Sequence, residues 1–105
     1  MSVRCGTSLP VPDAVHELLA TEMALDKLGA RGISPEEAAQ LARNQHVMIR
    51  NPREGAEPAR RRLLIGRTDG GRILTLVIER TADPTTWLIV TGWSATDVER
   101  KILGR

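Results

Sequence analysis

Arg61-Arg62-Leu63-Leu64-Ile65-Gly66-Arg67, then Thr68-Asp69-Gly70-Gly71, then Arg72-Ile73-Leu74-Thr75-Leu76-Val77-Ile78-Glu79-Arg80 is the stretch that decides the fold. Two aliphatic runs flank a glycine-containing turn, which predicts two strands joined by a tight hairpin. Side chains alternate along a strand. Arg62, Leu64 and Gly66 therefore share one face, and Arg61, Leu63, Ile65 and Arg67 the other. The run Arg72–Arg80 is apolar on both faces, so it is expected to be the longest strand and to lie centrally in its sheet. Arg72 and Arg80 share a face on it.

The same period continues outward. His46-Val47-Met48-Ile49-Arg50 reads as a strand, followed by a loop at Asn51-Pro52-Arg53-Glu54-Gly55. Ala82-Asp83-Pro84-Thr85 reads as a turn and Thr86 to Gly92 as a fourth strand, with Trp87, Ile89 and Trp93 expected on one face. Short turns between strands imply an antiparallel meander. Before the strands the period is helical. Pro12-Asp13 opens a helix over about 13–28, with Val15, Leu18, Leu25 and Leu28 near one face, His16 on its surface and Gly29 as its stop. Ser34-Pro35-Glu36-Glu37 is a capping box with proline at the first helical position. It starts a second helix, ending near Asn44, whose buried stripe is Ala38, Leu41 and Ala42. Ser94 is the expected cap of a last helix that ends near Leu103. The expected organisation is an irregular arm over 1–11 and one α+β domain over 12–105. That domain has two N-terminal helices, a four-stranded antiparallel meander sheet and a C-terminal helix, in two layers.

A chain of 105 residues is one domain's worth and can bury a core without metal or disulfide staples. Phe and Tyr are absent and Trp87 and Trp93 are the only aromatic rings, so base stacking is a weaker expectation than charge. The net charge of +2 is unevenly spread. The middle third carries Arg50, Arg53, Arg60, Arg61, Arg62, Arg67, Arg72 and Arg80 against Glu54, Glu57, Asp69 and Glu79. Arginine forks match phosphate oxygens well, so this field points either to a polyanionic partner or to a solvated face. On the second reading, Arg61 and Arg67 pair with Glu79, Glu57 or Glu54. The single cysteine, Cys5, excludes an internal disulfide. Met1–Pro10 lacks an apolar stretch of signal-peptide type, and no apolar run is long enough to span a membrane. A cytoplasmic location with no membrane partner is expected.

His16 and His46 stand alone, with no ligand-spaced cysteine or second histidine, so no metal or other cofactor is expected. His46, at a strand start, is a candidate proton carrier. The glycines of Gly66–Gly71 are followed by a strand rather than a helix, which excludes a phosphate-binding loop of helix N-terminal type.

Several strings, taken in order, resemble the BrnT toxins of the RelE-like group. They are Gly32-Ile33-Ser34-Pro35-Glu36-Glu37-Ala38, Arg62-Leu63-Leu64-Ile65-Gly66-Arg67, Arg72-Ile73-Leu74, Glu79-Arg80, Ile89-Val90-Thr91-Gly92-Trp93-Ser94-Ala95-Thr96 and Glu99-Arg100. The likeness covers about residues 24–103. It implies a metal-independent ribonuclease that arrests translation, acts on RNA or the ribosome and is neutralised by a cognate antitoxin. Under it, Arg62, Arg80, Glu79 and His46 are the catalytic candidates, with Arg62, Arg72 and Arg80 on phosphate and Glu79 or His46 as proton acceptor. Arg60, Arg61, Arg67 and Arg72 are the RNA-binding candidates. The chain departs from the family where Gly92-Trp93 replaces an Ala-Arg pair, so an expected arginine is missing. The alternative is a toxin-like protein without cleavage, which binds protein or nucleic acid. A homodimer formed through the sheet is a third possibility.

Overall fold

A computed structural model describes residues 15–50 and 61–104. The arm expected over 1–11, Cys5, the loop expected at 51–55 and Arg60 lie outside them. The elements run β1 (Glu17–Ala20), α1 (Glu22–Gly29), α2 (Pro35–Arg43), β2 (His46–Arg50), β3 (Arg61–Arg67), β4 (Ile73–Arg80), β5 (Thr86–Ser94) and α3 (Asp97–Leu103). The sheet order is β1-β5-β4-β3-β2. Neighbours from β2 to β5 are antiparallel, and β1 lies parallel to β5. The chain is thus α+β as expected, but its sheet is mixed and five-stranded rather than a four-stranded antiparallel meander.

The difference begins at the expected first helix. Residues 17–20 form a strand with alternating exposure, and the helix starts only after Thr21, whose hydroxyl accepts from the Ala24 N–H at 3.1 Å. Three of the four apolar residues expected on that face do reach the core, Leu25 being only half-buried. Val15 and Leu28 are buried in the core and Leu18 packs against it. A spacing that fits a helical face also fits a strand followed by a helix, and here pairing with β5 decides. His16 consequently lies at the entry to β1, where its N–H donates to the Thr85 carbonyl at 2.9 Å.

The helix at Ser34 forms as its capping box requires. The Ser34 hydroxyl accepts from the Glu37 N–H, and the Glu37 carboxylate accepts from the Ser34 N–H, both at 3.1 Å. Leu28, Ile33, Ala38 and Leu41 pack on Leu64, Leu74, Leu76, Ile78, Trp87 and Ile89 of the sheet. β4 is central as expected, but β5, with nine residues, is longer than β4 with eight. Arg72 precedes β4 rather than opening it.

The β4–β5 register contains a bulge. Val77 pairs with Thr91 but Ile78 pairs with Ile89, which leaves Val90 as the extra residue. One extra residue inverts the alternation beyond it. Trp87 and Ile89 therefore face α1 and α2, while Trp93, paired with Thr75, faces the other way. This corrects the expectation that both tryptophans share a face. Trp87 is fully buried.

The second face carries α3, so helices lie on both sides of the sheet and the two-layer reading is also corrected. Ser94 ends β5 rather than capping α3. The cap is Thr96, in a reciprocal box with Glu99. Glu99 Oε1 also accepts from the Thr75 hydroxyl at 2.8 Å and the Trp93 indole N–H at 3.1 Å. Burial pushes the Glu99 carboxyl up. The N–H of Thr96 and the donors of Thr75, Trp93 and the Thr96 hydroxyl outweigh it, and the net direction is down.

Two predictions follow from these contacts. A Cβ on Gly92 would stand 2.6 Å from Leu76 Cδ2 and 3.0 Å from Leu28 Cδ2. Gly92→Val is expected to lower the unfolding free energy in urea by about 1–3 kcal/mol through overpacking. Glu99 has a folded pKa below its ordinary value, so its stabilisation is complete above that ordinary value and is lost as pH falls through the folded one. An acid titration followed by Trp93 fluorescence is expected to show this loss, and Glu99→Gln to remove the corresponding pH dependence.

Candidate functional site

The β3–β4 pairing sets Arg62 opposite Ile78 and Arg61 opposite Glu79. Alternation then divides the arginines between the two faces. Arg62 and Arg80 lie on the face that carries α1 and α2, at diagonal positions on neighbouring strands. Such positions are separated by about 7–8 Å. Arg50 is the backbone partner of Arg62 on β2, so three adjacent strands each bring an arginine position to this end of the sheet. Neighbouring positions on the same face are held by Leu18, Leu64, Ile78 and Trp87, all apolar.

Arg80 is exposed and Arg62 half-buried. The Arg80 guanidinium lies 5.1 Å from the centroid of the Trp87 ring, within cation–π range. The indole beneath is buried, so it orients the arginine and offers no face to a base. Arg62 Nη1 donates to the Arg61 carbonyl at 3.1 Å, which keeps its fork near the strand.

The other candidates lie elsewhere. Glu79 is on the second face, where its Oε1 is 3.1 Å from Arg61 Nε; the sheet separates it from Arg62 and Arg80. His46 is on the helix-bearing face but pairs with Gly66, four residues along β3 from Arg62. At about 3.4 Å per residue that is some 14 Å. Its Nδ1–H donates to the Asn44 carbonyl at 2.9 Å. Arg67 Nε donates to Gln45 Oε1 at 3.3 Å, at the end of β3 opposite Arg61. Arg60 lies outside the described residues.

Arg72 is held by its own chain. Its Nη1 donates to the Gly32 carbonyl at 2.8 Å and to Glu37 Oε1 at 3.2 Å, and its Nη2 to the Ser94 hydroxyl at 3.3 Å. Gly32 adopts a φ of 73°, a conformation that favours glycine, and so turns its carbonyl towards this arginine. The Ser34 N–H lowers the Glu37 pKa first; burial opposes this, and Arg72 adds to the lowering. The arginine thereby joins the α1–α2 link, the start of α2 and the end of β5.

The sequence reading brings out the arginines but misses two features. One is the set of donors around Glu99, whose only sequence signal is the spacing Thr96-x-x-Glu99. The other is Arg31, whose Nη1 donates to the Gly92 carbonyl at 2.8 Å, a contact between residues 61 positions apart that no local pattern announces. Among the described residues no group of three or more His, Cys, Asp or Glu could hold a metal ion, and no helix is long and apolar enough to cross a membrane. Comparison with protein-family models, with curated proteins and with solved structures finds no match.

Arg72→Ala removes contacts to three elements and is expected to lower the melting temperature by several degrees, as differential scanning fluorimetry against the wild type would show.

Proposed function

We propose that this chain is an RNA-binding module on a BrnT-like scaffold, one that contacts phosphates through the arginine end of its sheet and does not cleave. The observation that carries the reading is the common placement of Arg62 and Arg80, with Glu79 across the sheet and His46 far along it. Arginine forks suit phosphate oxygens. Cleavage through a 2′-hydroxyl also needs a proton acceptor within hydrogen-bond reach, about 2.6–3.2 Å or one water away. Neither of the acceptors expected from the resemblance stands beside these arginines. Trp93, at the place of the family's arginine, faces away from them and is engaged by Glu99.

The binding expected of such a surface is electrostatic and steep in salt. For single-stranded RNA, each neutralised phosphate contributes about −0.7 to the slope of log K against log salt. Fluorescence anisotropy with a labelled single-stranded RNA is expected to show weaker binding for Arg62→Ala and Arg80→Ala, each with a slope shallower by about 0.7. The same RNA is expected to run intact on a denaturing gel after incubation. Unchanged affinity in the double variant would sink the assignment of the surface. RNA cleavage by the wild type that is lost in Arg80→Ala would restore the ribonuclease reading.

A further inference from the structure

We propose that the outer edge of β1, with the cleft beside it, binds an extended segment of another protein that alternates aliphatic and basic side chains and joins the sheet as a further strand. Leu18 borders both this cleft and the arginine end of the sheet, but the proposal does not depend on the RNA reading.

Among the described residues β1 pairs with β5 alone and ends the sheet. An edge strand presents backbone donors and acceptors on its outer side, ready to pair with an added strand. Next to it is a cleft of about 270 Å³ whose walls include Leu18, Ala20, Leu25, Pro35, Ala38 and Ala39. All six are apolar, so the cleft suits an aliphatic side chain projecting from such a strand. Leu19 also borders the cleft, yet strand alternation turns its side chain to the other face of β1, where it is 44% exposed. Two faces of one short strand therefore offer apolar contact, which matches the alternation of an added strand.

Charge selects the partner. The elements that build the cleft, β1, α1 and α2, carry Glu17, Glu22, Asp26, Glu36 and Glu37 against Lys27 and Arg43. Glu37 is engaged by Arg72, but Glu17, Glu22 and Glu36 are exposed. An apolar cleft whose elements carry more acidic than basic side chains favours a partner whose aliphatic residues are flanked by lysine or arginine, and it repels an acidic one.

The test uses the full chain and a fluorescein-labelled peptide of alternating Lys and Val. Anisotropy is expected to show binding, and amide shifts in the isotope-labelled protein to concentrate in Glu17–Ala20 and along α2. Glu17→Lys, an exposed change that leaves the fold intact by circular dichroism, is expected to weaken binding about tenfold at low salt. Ala39→Lys, which places a cation in the cleft, is expected to weaken it at least as much. A peptide of alternating Asp and Val should not bind. The proposal is overturned if the Lys–Val peptide does not bind, as when a segment of this chain already covers the edge. It is equally overturned if the acidic peptide binds as tightly, if both variants bind like the wild type, or if the β1 shifts appear on raising protein concentration without peptide, which would make the occupant a second copy.

Discussion

The structure turns on one residue, Val90, left over where β5 pairs with β4. Without it, Trp87 and Trp93 would project from the same side. The helix-bearing core would have to admit a second indole, and α3 would lose the ring that its Glu99 grips. With it, the first half of β5 supplies Trp87 and Ile89 to one core, and the second half supplies Trp93 to the other side. A bulge both inverts the alternation and adds local twist. It is thus the device by which a single strand serves helices on both faces of the sheet.

The same alternation, uninterrupted in β3 and β4, disposes of the charges. Arg61 and Glu79 are opposite partners and meet on the second face, where a half-exposed pair contributes little to stability. Arg62 and Arg80 are one residue removed from that pair and so lie across the sheet from it. A strand that places adjacent residues on opposite faces cannot offer Glu79 and Arg80 to one phosphate. The dipeptide looks like an acid–base unit in the sequence and is divided by the backbone that carries it.

Local chemistry was legible in the sequence. The capping box at Ser34, the hairpin at Thr68–Gly71, with Gly71 at a φ of 88°, and the bounds of β2 and β3 follow from residue patterns along the chain. What was not legible depends on distant partners. Residues 17–20 became a strand because β5 was available to pair with them. Ser94 was displaced as a cap because β5 continued to it, which left the role to Thr96. Of the arginines, the charge was readable but the commitment was not. Arg72 resembles Arg80 in the sequence, yet a carbonyl forty residues away and the Glu37 carboxylate hold it in the fold.

Gly92-Trp93 shows how strand register limits what a position can serve. Position 92 lies under Leu28 of α1 and against Leu76, where a Cβ has no room, and its carbonyl accepts from Arg31. Position 93 lies past the bulge on the other face, where its ring nitrogen donates to the Glu99 carboxylate that caps α3. An arginine there would project away from Arg62 and Arg80, beside the donors that already fill Glu99, and could join a phosphate site only if the bulge were moved. An arginine at position 93 would therefore not complete a site with Arg62 and Arg80, because the register of β5, rather than the identity of one side chain, determines which face that side chain serves.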